Sequence, residues 1–520
     1  MKTYYRPVWT SGRYDSQTHS AILYNLISGY SYFFEDKAAD VVGYILEAGR
    51  NGIIDVDAIQ ESVVIDLSSI EPFFGQLEKI GLITPYSSLG DVVMEERNHA
   101  RELQAKGAVI DTHLKAWAKK EKKSDAESGY QKRVRPKVFS VIIELTYNCS
   151  EKCIHCYNPG ATRNDSETNH RNDREQLTEE EYKDIIDQLY DNGLVRVCLS
   201  GGDPFANPLI WKIIEYLYAK DIIFDVFTNG QQLLGKESFL ANYFPCSVGV
   251  SIYSDVDRVH DLITRVPGSL SKTLRVVDSL ASLAIPLQIK CCIMRPNCKY
   301  YRGVVEIARR YHAQLQLECN IFDSVDGDTC ASKYLRLTPE ELRVVLRDRD
   351  IPLYVGSDRE LYGAQVLEMN SSVCSAGYSG FCITPDGKLT PCVSFQSCIG
   401  DLRKDRFENI IKSPALQSWV NTRLADFEEC GTHDYCAYCG LCPGLNFSKH
   451  GTPLKACENS CNLAKVRKEL VEMLKKGGDP LEGKTIDQAL RLLPDSSVTI
   501  LNRIEGNNFY LKSMGKDGSL

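Results

Sequence analysis

The sequence predicts an α/β protein built around a partial (β/α)6 barrel, with a small α+β domain before the barrel and a cysteine-rich domain after it. Three observations support this prediction. Six short β-branched segments alternate with helical segments between residues 138 and 322, which is typical of a parallel sheet with crossover helices. Residues 1–88 combine an aromatic strand with amphipathic helices. Residues 370–465 lack periodic segments but contain ten of the 20 cysteines.

The first domain is predicted to span residues 1–88 and to have a winged-helix-like arrangement. The segment "SYFF" at 31–34 indicates a strand, and "DKAADVVGYILEAG" at 36–49 indicates an amphipathic helix. The segment "SIEPFFGQLEKIGLIT" at 69–84 indicates another helix, with a proline near its first turn and Gly81 as its C-cap. Residues 89–137 are charged and poor in apolar residues, so we expect a bridging linker.

The barrel is predicted to span residues 138–345. Its strands are expected at 138–145, 195–202, 222–230, 246–254, 287–294 and 315–322, and its clearest helices at 178–193 and 300–312. In barrels of this kind, function lies at the C-terminal ends of the strands. The segment "CSEKCIHCYN" at 149–158 follows the first strand and "LSGGDP" at 199–204 ends the second, so we expect both at that rim.

The C-terminal part is predicted to consist of a cysteine-rich domain at 346–465 and a helix with a polar tail at 466–520. Because the first of these has few periodic segments, we expect metal ligation to determine its shape. Seven further cysteines are scattered through apolar segments and are expected to act as small buried hydrophobic residues. They are Cys198, Cys246, Cys291, Cys292, Cys298, Cys319 and Cys330.

Composition excludes several classes of protein. A chain of 520 residues exceeds one ordinary core, so two to four domains are expected. The net charge of −8 argues against a nucleic-acid binder that relies on phosphate contacts. No stretch approaches the roughly 18 apolar residues of a membrane span, so we expect no membrane partner and a cytoplasmic location. In a reducing cytosol, 20 cysteines indicate metal or redox chemistry rather than disulfides.

Three cysteines, Cys149, Cys153 and Cys156, are clustered directly after the first barrel strand. A structural zinc site uses four ligands and a disulfide uses two cysteines, so three thiols match neither. They suit a 4Fe–4S cluster whose fourth iron is open to an outside ligand. We therefore expect these cysteines to be both metal ligands and catalytic.

This cysteine spacing, followed by "GGDP" at 201–204, resembles the radical S-adenosylmethionine (SAM) superfamily over roughly residues 138–345. The resemblance implies that the open iron binds the amino and carboxylate groups of SAM. One electron, from an external reductant of the flavodoxin or ferredoxin type, then cleaves SAM to methionine and a 5′-deoxyadenosyl radical. That radical abstracts a hydrogen atom from the substrate.

The same resemblance implies a set of SAM-binding residues. The glycine pair lets the backbone approach a ligand, and its carbonyls can accept hydrogen bonds from an amine, although "GGDP" alone would also suit a turn. Asp203 stands where the family more often has Glu. His155 is expected either to stack on the adenine or to be an ordinary loop histidine. The full predicted set is His155, Gly201, Gly202, Asp203, Pro204, Thr228, Asn229 and Ser251.

The spacing Cys374-x12-Gly387-x4-Cys392 resembles the front half of a SPASM domain, which carries one or two auxiliary iron–sulfur clusters. The back half departs from the family pattern, with Phe427 where its first cysteine is expected. Taken alone, "CAYC" would also suit a zinc ribbon. Such clusters could accept an electron from the substrate, bind a substrate thiolate, or only hold the fold. The expected ligands are Cys374, Cys392, Cys430, Cys436, Cys439, Cys442, Cys457 and Cys461, with Cys382 or Cys398 as substitutes.

Residues 1–88 also resemble the peptide-recognition element of enzymes that mature ribosomally made natural products. The resemblance implies that a precursor peptide binds through its leader, which adds a strand to the edge near residues 30–34. A DNA-binding winged helix is the alternative, but "SIEPFFGQLEKIG" has one basic residue against two acidic ones.

Together these resemblances predict a radical SAM enzyme that crosslinks a peptide, with a thioether as first choice and a carbon–carbon or carbon–oxygen bond as alternatives. A sulfatase-type maturase is disfavoured because Val393 replaces the aspartate that follows the equivalent of Cys392 in that family. A zinc-bearing regulator with a winged helix is opposed by the net charge and by the cysteine triplet.

Overall fold

A computed structural model of the chain describes residues 2–63, 67–86, 95, 138–158, 176–324, 330–356 and 369–494. The predicted linker at 89–137, apart from Glu95, and the tail after residue 494 lie outside these ranges. Among the described helices, none is long and apolar enough to cross a membrane.

The N-terminal region contains a three-stranded antiparallel sheet in the order β1-β2-β3. Its strands are β1 (Thr10–Asp15), β2 (Ser20–Asn25) and β3 (Tyr30–Glu35). Three helices follow: α1 (Asp36–Glu47), α2 (Val56–Val63) and α3 (Leu67–Lys79). The sequence predicted β3, α1 and α3 but neither β1, β2 nor α2. The sequence of β1, "TSGRYD", has little β propensity of its own, and pairing with β2 over all six residues compensates for this.

Six parallel strands form the barrel, each paired with the next in chain order. They are β4 (Ser140–Thr146), β5 (Arg196–Gly201), β6 (Ile223–Thr228), β7 (Ser247–Ser251), β8 (Leu287–Cys292) and β9 (Gln314–Glu318). Four of the six lie within the predicted segments, while β4 ends one residue after its segment and β9 begins one residue before its segment. The barrel is partial, because β9 lies at one edge of the sheet and does not pair with β4. The predicted fold class is therefore confirmed.

Helices connect the barrel strands and cover the sheet. They are α4 (Glu179–Asp191), α5 (Ile210–Ala219), α6 (Glu237–Ala241), α7 (Asp257–Thr264), α8 (Ser269–Ser282) and α9 (Tyr301–Arg310). Helix α4 begins with a capping box, in which Thr178 and Glu181 exchange hydrogen bonds of 2.8 Å and 3.2 Å between side chain and backbone. This arrangement satisfies two backbone N–H groups that would otherwise lack partners.

The cysteine-rich region continues the barrel sheet, which its irregular sequence did not predict. Its strands are β10 (Gly380–Ile383), β11 (Lys388–Thr390) and β12 (Gly400–Asp401). Strand β10 pairs in parallel with β4, so that the sheet has nine strands in the order β12-β11-β10-β4-β5-β6-β7-β8-β9. The expectation that metal ligation alone shapes this region is therefore wrong for its first part.

Seven further helices lie in the described part of the chain after β9. They are α10 (Cys330–Leu335), α11 (Pro339–Val345), α12 (Phe407–Ile410), α13 (Pro414–Val420), α14 (Pro443–His450), α15 (Glu458–Lys475) and α16 (Ile486–Leu492). Helix α15 is joined to α11 by two 2.9 Å hydrogen bonds from the Arg343 guanidinium to the Glu469 carboxylate. A bidentate pair of this kind fixes the relative position of two helices more precisely than one contact would.

The N-terminal region packs against the barrel at the N-terminal ends of its strands. Trp9 and Tyr24 share an apolar cluster with Val195 and Ile223, which lie at the beginnings of β5 and β6. Arg50 stacks 3.9 Å from the Tyr218 ring centroid and forms a 3.0 Å ion pair with Asp221. Arg6, which is completely buried, also pairs with Asp221. The N-terminal region therefore covers the barrel end opposite to the C-terminal ends of the strands.

Candidate active site

A cavity of about 600 Å³ opens at the C-terminal ends of the barrel strands. The polar and cysteine residues predicted from the two loop motifs converge there. Nine of them line the cavity: Cys149, Cys153, His155, Cys156, Gly201, Gly202, Thr228, Asn229 and Ser251. Two predicted residues, Asp203 and Pro204, do not line it.

The cysteine loop is held in place by backbone contacts with the end of α7. The Lys152 N–H donates to the Thr264 carbonyl at 3.0 Å, and the Ile154 N–H donates to the Ile263 carbonyl at 2.9 Å. Ile154 itself is completely buried in the barrel core. One apolar side chain and two backbone hydrogen bonds thus fix the loop, while its cysteines face the cavity.

The three thiols have the environment that an iron–sulfur cluster requires. Burial raises the pKa of Cys149 to about 12 and that of Cys156 to about 11, so the thiols stay protonated unless a cation binds. The Asn229 side-chain N–H donates to Cys149 Sγ at 3.2 Å, and the Glu151 backbone N–H donates to it at 3.4 Å. Hydrogen bonds to sulfur are among the features that adjust cluster potentials. This donor set therefore fits a cluster. Among the described residues, no three His, Cys, Asp or Glu side chains surround a point suited to a single ion.

The glycine pair allows the end of β5 to lie against the cysteine loop. A Cβ at Gly202 would lie 2.4 Å from the Asn148 carbonyl oxygen, and one at Gly201 would lie 2.3 Å from the Thr146 carbonyl oxygen. The Gly201 φ of +125° is also unfavourable for other residues. We expected these glycines to admit a ligand, but the backbone of β4 fills the space beside Gly201, and the backbone at residues 147 and 148 fills the space beside Gly202. The Gly201 carbonyl accepts a 3.0 Å hydrogen bond from the Asn158 side chain.

Asp203 and Thr228 form a buried hydrogen-bonded pair behind the cavity wall. The Thr228 hydroxyl lies 3.1 Å from both Asp203 carboxylate oxygens, and Asp203 also accepts from the Phe205 N–H at 3.0 Å. Pro204 begins the short 3-10 helix that Asp203 caps. Burial raises the pKa of Asp203 to about 6. The Asp203 side chain therefore shapes the loop, and its predicted contact with the SAM amine has no support in this geometry.

His155 packs edge-on against Tyr253, with 4.8 Å between ring centroids. Burial lowers the pKa of His155 to about 4, so the ring is neutral near pH 7. Its Nδ1 atom has no hydrogen-bond partner among the described residues. Because both rings line the cavity, His155 belongs to the apolar part of its wall.

Family comparisons agree with this geometry. The barrel matches the model of the Radical SAM superfamily over residues 143–295. The cysteine-rich region matches the SPASM model, an iron–sulfur cluster-binding domain, over residues 374–443. The chain therefore contains a radical SAM domain followed by a SPASM domain. It binds SAM and a 4Fe–4S cluster in the first domain, and auxiliary iron–sulfur clusters in the second.

Individual relatives extend the comparison. The antilisterial bacteriocin subtilosin biosynthesis protein AlbA of Bacillus subtilis is 26% identical over 350 residues, which covers 64% of this chain and 72% of AlbA. An AdoMet-dependent heme synthase of Methanosarcina barkeri is 25% identical over 340 residues, which covers 60% and 93% of the two chains. The crystal structure of Streptococcus suis SuiB bound to SAM has a TM-score of 0.52 at 13% identity, covering 87% of this chain and 98% of SuiB. At that identity, the similarity concerns the fold alone.

The SPASM cysteines separate into two groups in space. The first thiol group consists of Cys374, Cys392 and Cys442. Burial raises the pKa of Cys442, and the neighbouring Cys392 and Cys374 raise it further. Burial and Cys392 likewise raise the pKa of Cys374. The buried Cys382 is a neighbour of this group. Burial and Glu144 raise the pKa of Cys382, and Cys392 raises it further.

The second thiol group consists of Cys430, Cys436, Cys439 and Cys461. Burial raises the pKa of Cys439 to about 12, with further contributions from the other three cysteines. Burial, Cys461 and Cys436 raise that of Cys430 to about 11. Cys457 is close to Cys461, whose pKa it helps to raise. Seven of the eight predicted ligands thus fall into two groups of neighbouring thiols.

Sequence reasoning missed several residues that line the SAM cavity. Lys290, Cys291 and Cys292 of β8 and Glu318 of β9 all contribute to it, as does Glu151 of the cysteine loop. The two cysteines were expected to be ordinary core residues. The alternation of Gln288, Lys290 and Cys292 along "LQIKCCIM" was an available signal, because alternate residues of a barrel strand face the interior.

Proposed function

We propose that this enzyme modifies a ribosomally made precursor peptide by forming a crosslink, with a thioether as first choice. The observation that carries the proposal is the combination in one chain of a radical SAM cavity, a neighbouring SPASM domain and a small N-terminal antiparallel sheet. The relatives support it: AlbA takes part in bacteriocin biosynthesis, and SuiB has been crystallised with its precursor peptide SuiA.

The leader of the peptide is proposed to bind along β3. Among the described strands, β3 lies at the edge of the three-stranded sheet, next to β2. An edge strand is where a peptide adds to a sheet in this mode of recognition. Aromatic side chains lie beside this edge: Phe34 packs against Phe73 of α3 with 6.0 Å between ring centroids, and Tyr30 lies 6.5 Å from Tyr32. Backbone pairing would supply affinity, and the aromatic groove would select apolar side chains of the leader.

The modified residue is proposed to enter a second, smaller cavity. This cavity has a volume of about 160 Å³ and shares Tyr157 and Phe322 with the SAM cavity. Val393, which follows Cys392 of the first thiol group, lines its other side. A side chain in this cavity would therefore lie between the SAM site and the first auxiliary site. In that position the substrate side chain would face the SAM site, where hydrogen is abstracted, and the first auxiliary site, which would accept an electron.

The residues of this chain have defined tasks in such a reaction. When bound, the cluster and SAM supply a 5′-deoxyadenosyl radical that abstracts hydrogen from carbon. Cys149, Cys153 and Cys156 would hold the cluster, and the Asn229 amide would stabilise its first thiolate. Tyr253 and His155 would exclude water from the cavity. An external reductant of the flavodoxin or ferredoxin type would supply the electron, and an auxiliary cluster would accept one from the substrate.

A sulfatase-type reaction on a folded partner is less well supported. Val393 lines the smaller cavity at the position where that family has an aspartate, and it cannot accept a proton. Asp323 also lines this cavity, but its carboxylate is paired with Arg336 at 3.3 Å and accepts a hydrogen bond from Ser332. Carbon–carbon or carbon–oxygen crosslinks use the same geometry as a thioether and differ in the acceptor atom of the peptide. The mass and fragmentation of the product distinguish these bonds.

The test is anaerobic turnover with a precursor peptide encoded beside the gene, with and without its leader. The intact peptide should stimulate formation of 5′-deoxyadenosine and lose two hydrogen atoms for each crosslink, and the leaderless peptide should do neither. Phe73→Ser should remove the stimulation, while Phe239→Ser, which changes an exposed aromatic residue of the barrel, should retain it. Equal stimulation with and without the leader would contradict the proposal.

A further inference from the structure

The smaller cavity has the size of one aromatic ring. Its volume is about 160 Å³, and an apolar cavity of about 150 Å³ in a protein core is sufficient to hold benzene. The Phe447 ring in its wall is held in place, because it packs 5.2 Å from the Phe395 ring, which packs 4.9 Å from the Trp419 ring. The apolar part of the wall consists of Tyr157, Phe322, Val393 and Phe447. The cavity therefore suits one ring-sized apolar group.

One carboxylate, that of Asp323, also lines this cavity, and the residue is only 5% exposed. Its Oδ1 atom accepts a hydrogen bond from the Ser332 hydroxyl and lies 3.3 Å from the Arg336 guanidinium. That guanidinium also donates to the Ile321 carbonyl at 3.0 Å and 3.2 Å, so it cannot turn away from the carboxylate. Among the residues that the structure describes, no donor reaches Oδ2. A buried oxygen without a donor is costly, and a ligand with a hydrogen-bond donor would remove this cost.

The charges around the cavity favour a neutral donor over a cation. Asp323 is the single charged residue among those that line the cavity, and Arg336 already balances its charge. A cationic ligand would therefore bring a second, uncompensated positive charge into a buried site. The Gln396 amide donates to the Val393 carbonyl at 3.1 Å, which also makes it part of the wall.

A ring with a neutral donor matches both the size and the polarity of the cavity. Buried tyrosine hydroxyl and tryptophan N–H groups usually have a hydrogen-bond partner. A phenol ring is close to benzene in size, whereas the two fused rings of indole exceed a cavity of about 160 Å³. These two criteria select a phenol.

We propose that the smaller cavity binds a tyrosine side chain of the peptide substrate, whose hydroxyl donates to Asp323 Oδ2. The assignment of the phenol to a peptide rests on the proposed function. Ser332 and Arg336 position the carboxylate, and the Phe322 and Phe447 rings contact the phenol. Asp323 thereby determines which residue of the peptide is held beside the SAM cavity.

The first arm of the test measures binding of uncharged amino-acid amides to the reconstituted, unreduced enzyme by equilibrium dialysis, with SAM present to occupy the larger cavity. N-acetyltyrosinamide should bind about ten- to 150-fold more tightly than N-acetylphenylalaninamide, the range for a hydrogen bond to a charged group. N-acetyltryptophanamide, which is too large, should bind more weakly than the tyrosine amide. The cationic N-acetyllysinamide should do so as well. This arm needs no variant.

The second arm locates the site. Asp323→Asn should remove most of the preference for tyrosine over phenylalanine. Asp348→Asn is the matched control and should retain it, because Asp348 is also buried and paired with an arginine, Arg302, but lines neither cavity. Ser448→Phe, at an exposed position in the wall, should fill the cavity and weaken binding of both amides. Lys449→Phe, the exposed neighbour outside the wall, should not.

The proposal is overturned if the tyrosine and phenylalanine amides bind equally, or if the lysine amide binds more tightly than the tyrosine amide. It is also overturned if Asp323→Asn retains the full preference. Should that variant fail to fold, unchanged binding of the tyrosine amide to Ser448→Phe would overturn it instead. Neither arm uses a leader or measures turnover. Failure of the peptide-maturation proposal would therefore appear separately, in the leader-dependence experiment.

Discussion

The separation of the SPASM cysteines into two groups predicts how much iron each variant retains. Cys442→Ala should empty the site of the first thiol group, and Cys439→Ala should empty that of the second. Each 4Fe–4S cluster holds four iron atoms, so a protein with three clusters should contain about 12 and each variant about 8. The double variant should contain about 4. The measurement is iron and acid-labile sulfide per chain after anaerobic reconstitution, together with the spectrum of the reduced clusters.

Cys298→Ala is the control, because this cysteine is buried in the barrel core away from both thiol groups. It should retain the full iron content and lose stability by the small amount expected for removing one buried sulfur. If the wild-type protein contained about 8 iron atoms, and the two single variants and the double variant all contained about 4, both groups would belong to one cluster. The assignment of two auxiliary sites would then be refuted.

Three further predictions concern other parts of the chain. Gly202→Ala places a Cβ 2.4 Å from the Asn148 carbonyl oxygen, so it should cost about 1–3 kcal/mol and reduce occupancy of the SAM cluster, measured by iron content, whereas Gly75→Ala in open space should not. Burial lowers the pKa of His260 to about 4 from 6.5, so its contribution to stability is complete above pH 6.5 and is lost as the pH falls towards 4. This loss, up to about 3 kcal/mol, should be absent in His260→Gln when denaturation midpoints are compared between pH 7 and pH 4.5. Finally, a six-residue barrel strand spans about 20 Å. Precursors with fewer than about six residues between the leader and the modified position should therefore remain unmodified, as judged by mass spectrometry.

Local sequence pattern was sufficient for the barrel because each of its strands is a short segment rich in apolar residues between helical segments. It was insufficient where pairing partners are distant in sequence. Strand β10 consists of four residues, "GFCI", and it pairs with β4 in a register that joins Gly380 to Ser140. Nothing within "GFCI" identifies that partner. The turn signal "PDG" at 385–387 indicated a hairpin but not the sheet to which it belongs.

The positions of the catalytic loops were predictable, but the directions of their side chains were not. Cys149, Cys153 and Cys156 reach the cavity because their spacing leaves little freedom on a short loop. Asp203 was expected in the cavity, yet its carboxylate caps a short helix and binds Thr228. The local sequence is compatible with an Asp203 side chain in the cavity and with one bound to Thr228. Only the packing of β5 against β6 distinguishes these two arrangements.

The barrel sheet continues into the cysteine-rich region, and this continuous sheet fixes the distance between the SAM site and the auxiliary sites. Because β10 pairs with β4 through four residues, the hairpin that leads to Cys392 is hydrogen-bonded to the strand that leads to Cys149. A flexible linker would let the distance between these sites vary, and electron transfer would then depend on domain movement. Both Val393, which follows Cys392 of the first thiol group, and Tyr157 line the smaller cavity, so a substrate side chain bound there as proposed would lie beside the first thiol group. No cysteine of the second group, nor any residue adjacent to one in sequence, lines either of these two cavities, so the electron would pass through the first auxiliary site before the second.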